Sequence, residues 1–222
     1  LAVVLVLGGL TVARNRVYDN AVAMWRDAIQ HCHPCRAAHS LGRAWNNLGD
    51  ELLDVGQVEE GVKVLHQAVK LNPAMAQIHG NLGRGLMDIQ DFAAAKKHCD
   101  EAVRLDPKGA RFRQQLGLLA AAQGRPDEAE THLRQALTLA PSDGVIETNL
   151  AKGLADQQKF AEAADCYARA IQISPSRIDA LVNLGNANAV QGKLDEAADC
   201  FLKAIQKEPD TPDAYINVGN VR

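Results

Sequence analysis

Aromatic side chains are scarce: Phe, Trp and Tyr make up 4% of the 222 residues, although 47% are apolar. Alanine and leucine supply most of that apolar content, which favours close-packed helices over strands, since strands draw on β-branched and aromatic side chains. An excess of either charge is also missing. The 24 Lys and Arg against 27 Asp and Glu leave a net charge of −3, a balance that excludes a strongly basic nucleic-acid binder and, with so much apolar content, intrinsic disorder. Five cysteines are too sparse for a disulfide-built mini-domain and leave the redox compartment open. No Asn-x-Ser/Thr acceptor occurs, and proline and glycine are spread along the chain rather than gathered into a linker. The chain starts at Leu1 and stops at Arg222 within a repeating unit, which reads as a processed or partial chain.

What the sequence does have is a period. Leu48-Gly49, Leu82-Gly83, Leu116-Gly117, Leu150-Ala151, Leu184-Gly185 and Val218-Gly219 recur every 34 residues. Ala95, Ala129, Ala163 and Ala197 keep the same step, as do Ala68, Ala102, Ala136, Ala170 and Ala204, and prolines close the units at Pro73, Pro107, Pro141, Pro175 and Pro209. Each unit reads as two amphipathic helices split by a turn, at Gly56-Gln57, Gln90-Asp91, Gly124-Arg125-Pro126, Gln158-Lys159 and Gly192-Lys193. The small residues let two helix backbones approach closely, and Leu65, Leu133, Tyr167 and Phe201 fill the remaining volume.

This pattern resembles the tetratricopeptide repeat family over residues 42–222, as five complete 34-residue repeats and the first helix of a sixth. The resemblance implies an all-α fold, a right-handed α-solenoid of antiparallel helix pairs, with first helices lining the concave side and second helices the convex side. His79, Arg113 and Glu147 depart from the family where it often has a bulky residue, and Cys99 replaces an aromatic. Residues 1–41 read as an apolar segment plus a degenerate N-terminal repeat, in which Tyr18, Ala21, Trp25, Ala28 and Pro34 match a second helix. Leu1 to Ala13 is apolar on almost every side, which fits burial in protein or in lipid; thirteen residues fall short of the roughly 20 that span a bilayer, but would fit the end of a span, with Arg14 and Arg16 at the interface. The junction is similar to that in polytopic membrane glycosyltransferase-like proteins with C-terminal tetratricopeptide repeats. A membrane-proximal or extracytoplasmic location follows from the lipid reading, a cytoplasmic one from the other.

The residue before each conserved-phase leucine is an amide, Asn47, Asn81, Gln115, Asn149, Asn183 and Asn217. An amide donates and accepts, so such a row can hold the backbone of an extended peptide, or bond to a neighbouring helix instead. The row resembles the asparagine ladder in the repeat domain of O-linked N-acetylglucosamine transferase. Arg43, Asp50, Asp54, Arg84, Arg111, Lys152, Asp156, Asp179 and Asn186 are expected on the same wall. Their mixed signs lack the concentrated cations with which chaperone-binding relatives clamp a carboxylate.

The candidate metal or redox constellation is His31-Cys32-His33-Pro34-Cys35 with His39. Cys32, Cys35 and His39 offer weak zinc-type spacing; the competing readings are an ordinary inter-helix loop or a local disulfide, and no metal is expected. Cys166 and Cys200, one period apart, lie beyond disulfide reach. Gly80 to Gly85 falls inside a helix and lacks the strand-to-helix turn of a phosphate loop. No cofactor and no catalysis are therefore expected. The leading reading is a scaffold with a protein or peptide partner on its concave groove and no nucleic acid. Two alternatives stand beside it. One is a head-to-tail homo-polymer through uncapped ends, with Tyr215, Val218 and Val221 exposed on the sixth first helix; the other is a repeat extension of a membrane-bound enzyme, attached through the N-terminus.

Overall fold

The computed structural model describes residues 21–31 and 38–221, excepting the side chains of residues 38 and 39. The apolar segment 1–13, Arg14, Arg16, Cys32, Cys35 and the His39 side chain lie outside the described residues. The chain forms two compact units, Leu1–Pro107 and Lys108–Arg222. The described part of the first contains α1 (Ala21–Gln30), α2 (Ala38–Asp54), α3 (Val58–Leu71), α4 (Ala76–Asp88) and α5 (Phe92–Leu105). The second contains α6 (Ala110–Ala122), α7 (Pro126–Leu139), α8 (Gly144–Asp156), α9 (Phe160–Ile173), α10 (Ile178–Val190), α11 (Leu194–Lys207) and α12 (Pro212–Val221). Every described element is a helix, so the all-α expectation is met, and within each unit the helices pack as the pairs that the 34-residue period predicts.

Helix pairing follows from the small residues. A Cβ added to Gly49 would lie 2.5 Å from Leu65 Cγ, one on Gly117 2.7 Å from Leu133 Cγ, and one on Gly185 2.5 Å from Phe201 Cε1. These three first helices thus accept one large side chain of the second helix into the space a Cβ would occupy. Gly83 does the same for Cys99, where the added atom would sit 2.5 Å from Sγ. The repeat-phase alanines Ala68, Ala102, Ala136, Ala170 and Ala204 are fully buried.

The turns are periodic too. Gly56, Gln90, Gly124, Gln158 and Gly192 all take positive φ, between 61° and 79°. Each ends a first helix in the left-handed conformation, and the next residue donates its N–H five residues back, as in Lys159 N to Leu154 O at 2.9 Å. Among the described residues, no helix is long and apolar enough to cross a membrane.

Candidate functional site

The six ladder amides share a phase but not an environment. In the first unit, Asn81 Nδ2 donates to Asn46 Oδ1 at 3.1 Å, and Asn46 Nδ2 donates to Asn47 Oδ1 at 3.3 Å. Asn81 is only 7% exposed. Beside this chain Arg84 donates to Asp50 Oδ1 at 2.7 Å and to Asp54 Oδ1 at 2.8 Å. The first-helix side of this unit is therefore occupied by its own polar pairs.

In the second unit, Asn217 Nδ2 donates to Asn186 Oδ1 at 2.9 Å. The partner stands 31 residues earlier, on the preceding first helix. The same step from Asn183 reaches Lys152 and from Asn149 reaches Leu118, and neither side chain can accept a hydrogen bond. Asn149 and Asn183 accordingly have no side-chain hydrogen-bond partner among the described residues. Gln115 differs again, with Oε1 buried and without a donor.

Asn183 opens onto a recess of about 450 Å³ between α8 and α10, formed with Lys152 and Asp156 from α8, Phe160 and Tyr167 from α9, and Asn186 and Val190 from α10. Tyr167 is 2% exposed and makes no hydrogen bond among the described residues. Burial pushes its phenol well above the ordinary range, and the Asp156 and Asp179 carboxylates add to this. Asp179 itself is bonded to Arg177 at 2.7 Å; burial opposes ionisation, but that guanidinium, with help from Lys152, holds the carboxyl below its usual range. A second recess, about 300 Å³, lies between α10 and α12 and is lined by Asn186, Ala189, Val190, Phe201, Asn217, Asn220 and Val221. It repeats the first at an interval of 34: Asn186 stands for Lys152, Val190 for Asp156, and Phe201 for Tyr167.

The residues expected to mediate self-association divide. Tyr215 is 53% exposed, whereas Val218 and Val221 pack partly onto the cluster of Leu181, Ala197, Phe201, Ala204 and Ala214. Ile216, 62% exposed, was not anticipated. A Cβ on Gly219 would meet nothing within 4 Å among the described residues.

Two polar clusters escaped the sequence. His79 Nε2 lies 3.0 Å from the Pro73 carbonyl, to which it must donate, leaving Nδ1 to accept from His98 Nδ1–H at 3.0 Å. The His66 ring meets His98 edge-on, with centroids 6.1 Å apart. Burial, then His79, His66 and Lys97, push His98 down to about 4, against the pull of Glu101. In the second unit, Arg169 grips both oxygens of Glu147, at 3.0 and 3.2 Å, and donates to Cys166 Sγ. Burial raises that thiol to about 11. The signal was present: His79 and Glu147, like Arg113 bonded to Gln135 at 3.3 Å, stand at the family's bulky position and each found a polar partner on its own second helix. Cys99, Cys166 and Cys200 are buried free thiols, and no group of three or more His, Cys, Asp or Glu among the described residues could hold a metal ion.

Paired helices locked by glycine-to-large contacts, with amides along the first helices, define a tetratricopeptide repeat protein. The family model described as the Cilia and flagella-associated protein 70 C-terminal domain matches residues 1–217, and the chain belongs to that family. Solved structures share the fold. PilF of Pseudomonas aeruginosa is 18% identical, with a TM-score of 0.75, over 83% of this chain and 84% of that one. PilW, a type IV pilus biogenesis factor, is 17% identical, with a TM-score of 0.74, over 82% and 84%. YrrB, a tetratricopeptide repeat protein with an unusual peptide-binding site, is 22% identical, with a TM-score of 0.60, over 78% and 89%. No curated protein matches the chain.

Proposed function

We propose that this chain is a non-catalytic scaffold that binds an extended peptide or protein segment along the first-helix face of its second unit. Asn149 and Asn183 are the amides that hold the ligand's backbone. The observation that carries this reading is that, among the described residues, these two side chains alone of the ladder asparagines have no protein partner, and that Asn183 borders a recess. Asn47 and Asn81 serve the packing of the first unit, and Asn217 is shared with Asn186. Rigid stacking lowers the ordering cost of binding, so many weak contacts suffice. Replacing Asn149 and Asn183 together by alanine is expected to weaken a bound peptide about tenfold or more, since each lost hydrogen bond to a desolvated partner costs about 1 kcal/mol, with the helical spectrum unchanged. Equal affinity of the double variant and the parent would remove these amides from the mechanism.

A second reading rests on α12. Tyr215 and Ile216 expose apolar surface side by side on this helix. Self-association through it is the competing function, and sedimentation velocity over a concentration series distinguishes the two. A Tyr215→Glu variant that sediments like the parent at every concentration rules out this surface.

A further inference from the structure

Asp156 is a carboxylate without an ion-pair partner among the described residues, and it stands in a recess that combines the polar Lys152, Asn183 and Asn186 with the apolar surface of Phe160, Tyr167 and Val190. Lys152, one turn earlier on α8, does not reach it within salt-bridge distance; its influence falls on Asp179. Behind Asp156 lies Tyr167, almost wholly enclosed, unbonded and under the field of both the Asp156 and Asp179 carboxylates. Three properties thus coincide in one place: a carboxylate outside any ion pair among the described residues, a phenol hydroxyl able to accept, and the apolar surface of Phe160, Tyr167 and Val190.

We propose that the recess between α8 and α10 seats a lysine or arginine side chain of the bound peptide, with its stem on Phe160, Tyr167 and Val190 and its cation against Asp156. The proposal rests on the reading that Asn149 and Asn183 hold the peptide backbone. Long basic side chains suit such a site because their methylenes cover apolar surface while the head group keeps a polar partner, and cations favour aromatic faces. A purely apolar occupant would bury the Asp156 carboxylate with nothing to offset its lost hydration, and an acidic one would be repelled by it. The neighbouring recess shows what the same position looks like when it is neutral: Val190 replaces Asp156 there, Asn186 replaces Lys152, and the floor is Phe201.

Selection of a random dodecapeptide display library on the full chain, followed by fluorescence polarisation on the selected peptides, tests this. The expected peptides carry Lys or Arg at one common position. Asp156→Val, which installs the residue of the next repeat, and Asp156→Asn, which keeps the size, should each weaken them about tenfold or more, as loss of a charge-assisted contact implies. Replacing that peptide lysine by norleucine should weaken binding to the parent and leave binding to Asp156→Val unaltered. Peptides that depend on Asn149 and Asn183 yet show no basic preference, or no response to either Asp156 variant, overturn the recess assignment while leaving the backbone reading intact. Peptides indifferent to the double asparagine variant overturn both.

Discussion

Gly117 and His98 show how much a single side chain decides. A Cβ on Gly117 already falls 2.7 Å from Leu133 Cγ, so Gly117→Leu must push α6 and α7 apart. The expected cost is about 1–3 kcal/mol, read as a clear fall in melting temperature; an unchanged midpoint would contradict the close approach. At His98 the folded group is held at about 4 against an ordinary 6.5. The folded chain therefore binds fewer protons than the unfolded chain between those values. Its contribution to stability is complete above pH 6.5 and is lost as the pH falls toward 4. Protonating both rings would also set two Nδ1–H donors against each other at 3.0 Å. His98→Gln, which can still donate to His79, should flatten the dependence of melting temperature on pH across that window relative to the parent.

At the scale of the helix and its turn, the period was fully legible: positions of leucine, glycine, alanine and proline predicted the pairs, and the pairs formed. Two matters were not legible. The first was which polar side chains at the family's bulky position would find partners, because His79, Arg113 and Glu147 each depend on a different residue 19 or 22 places later. The second was which ladder amides would be consumed by packing. In the second unit that depends on the residue 31 places earlier and at Asn81 on the one 35 places earlier, and the repeat phase, which looks 34 back, displays neither. Lys152→Asn should therefore supply Asn183 with an acceptor as Asn186 does for Asn217, and lower peptide affinity without loss of stability; retained affinity would refute this account of the free amide. The turns permit another test. Gln90 and Gln158 hold the left-handed conformation that glycine holds at Gly56, Gly124 and Gly192. Gln158→Gly removes a steric penalty of roughly 1 kcal/mol, partly offset by the entropy glycine loses on folding, so a small rise in melting temperature is expected, and a fall would contradict it.

For the molecule as a whole, each unit carries a separate burden. The histidine cluster lies within the first unit and the open amides lie within the second. Hydrogen exchange at pH 4.5 compared with pH 7 should accordingly show greater loss of protection in α4 and α5 than in α8 and α9; uniform loss would place the titration elsewhere. The twofold appearance of the recess carries a further consequence. Neighbouring first helices at packing distances of about 8–10 Å are separated by about three residues of extended chain. A ligand on a perfectly repetitive wall could slide by that amount and bind equally well in either seat. If a peptide binds as proposed, Asp156 in one seat and Val190 in the other would remove that degeneracy, much as a single odd tooth indexes a gear, giving one strand of peptide one frame in which to be read.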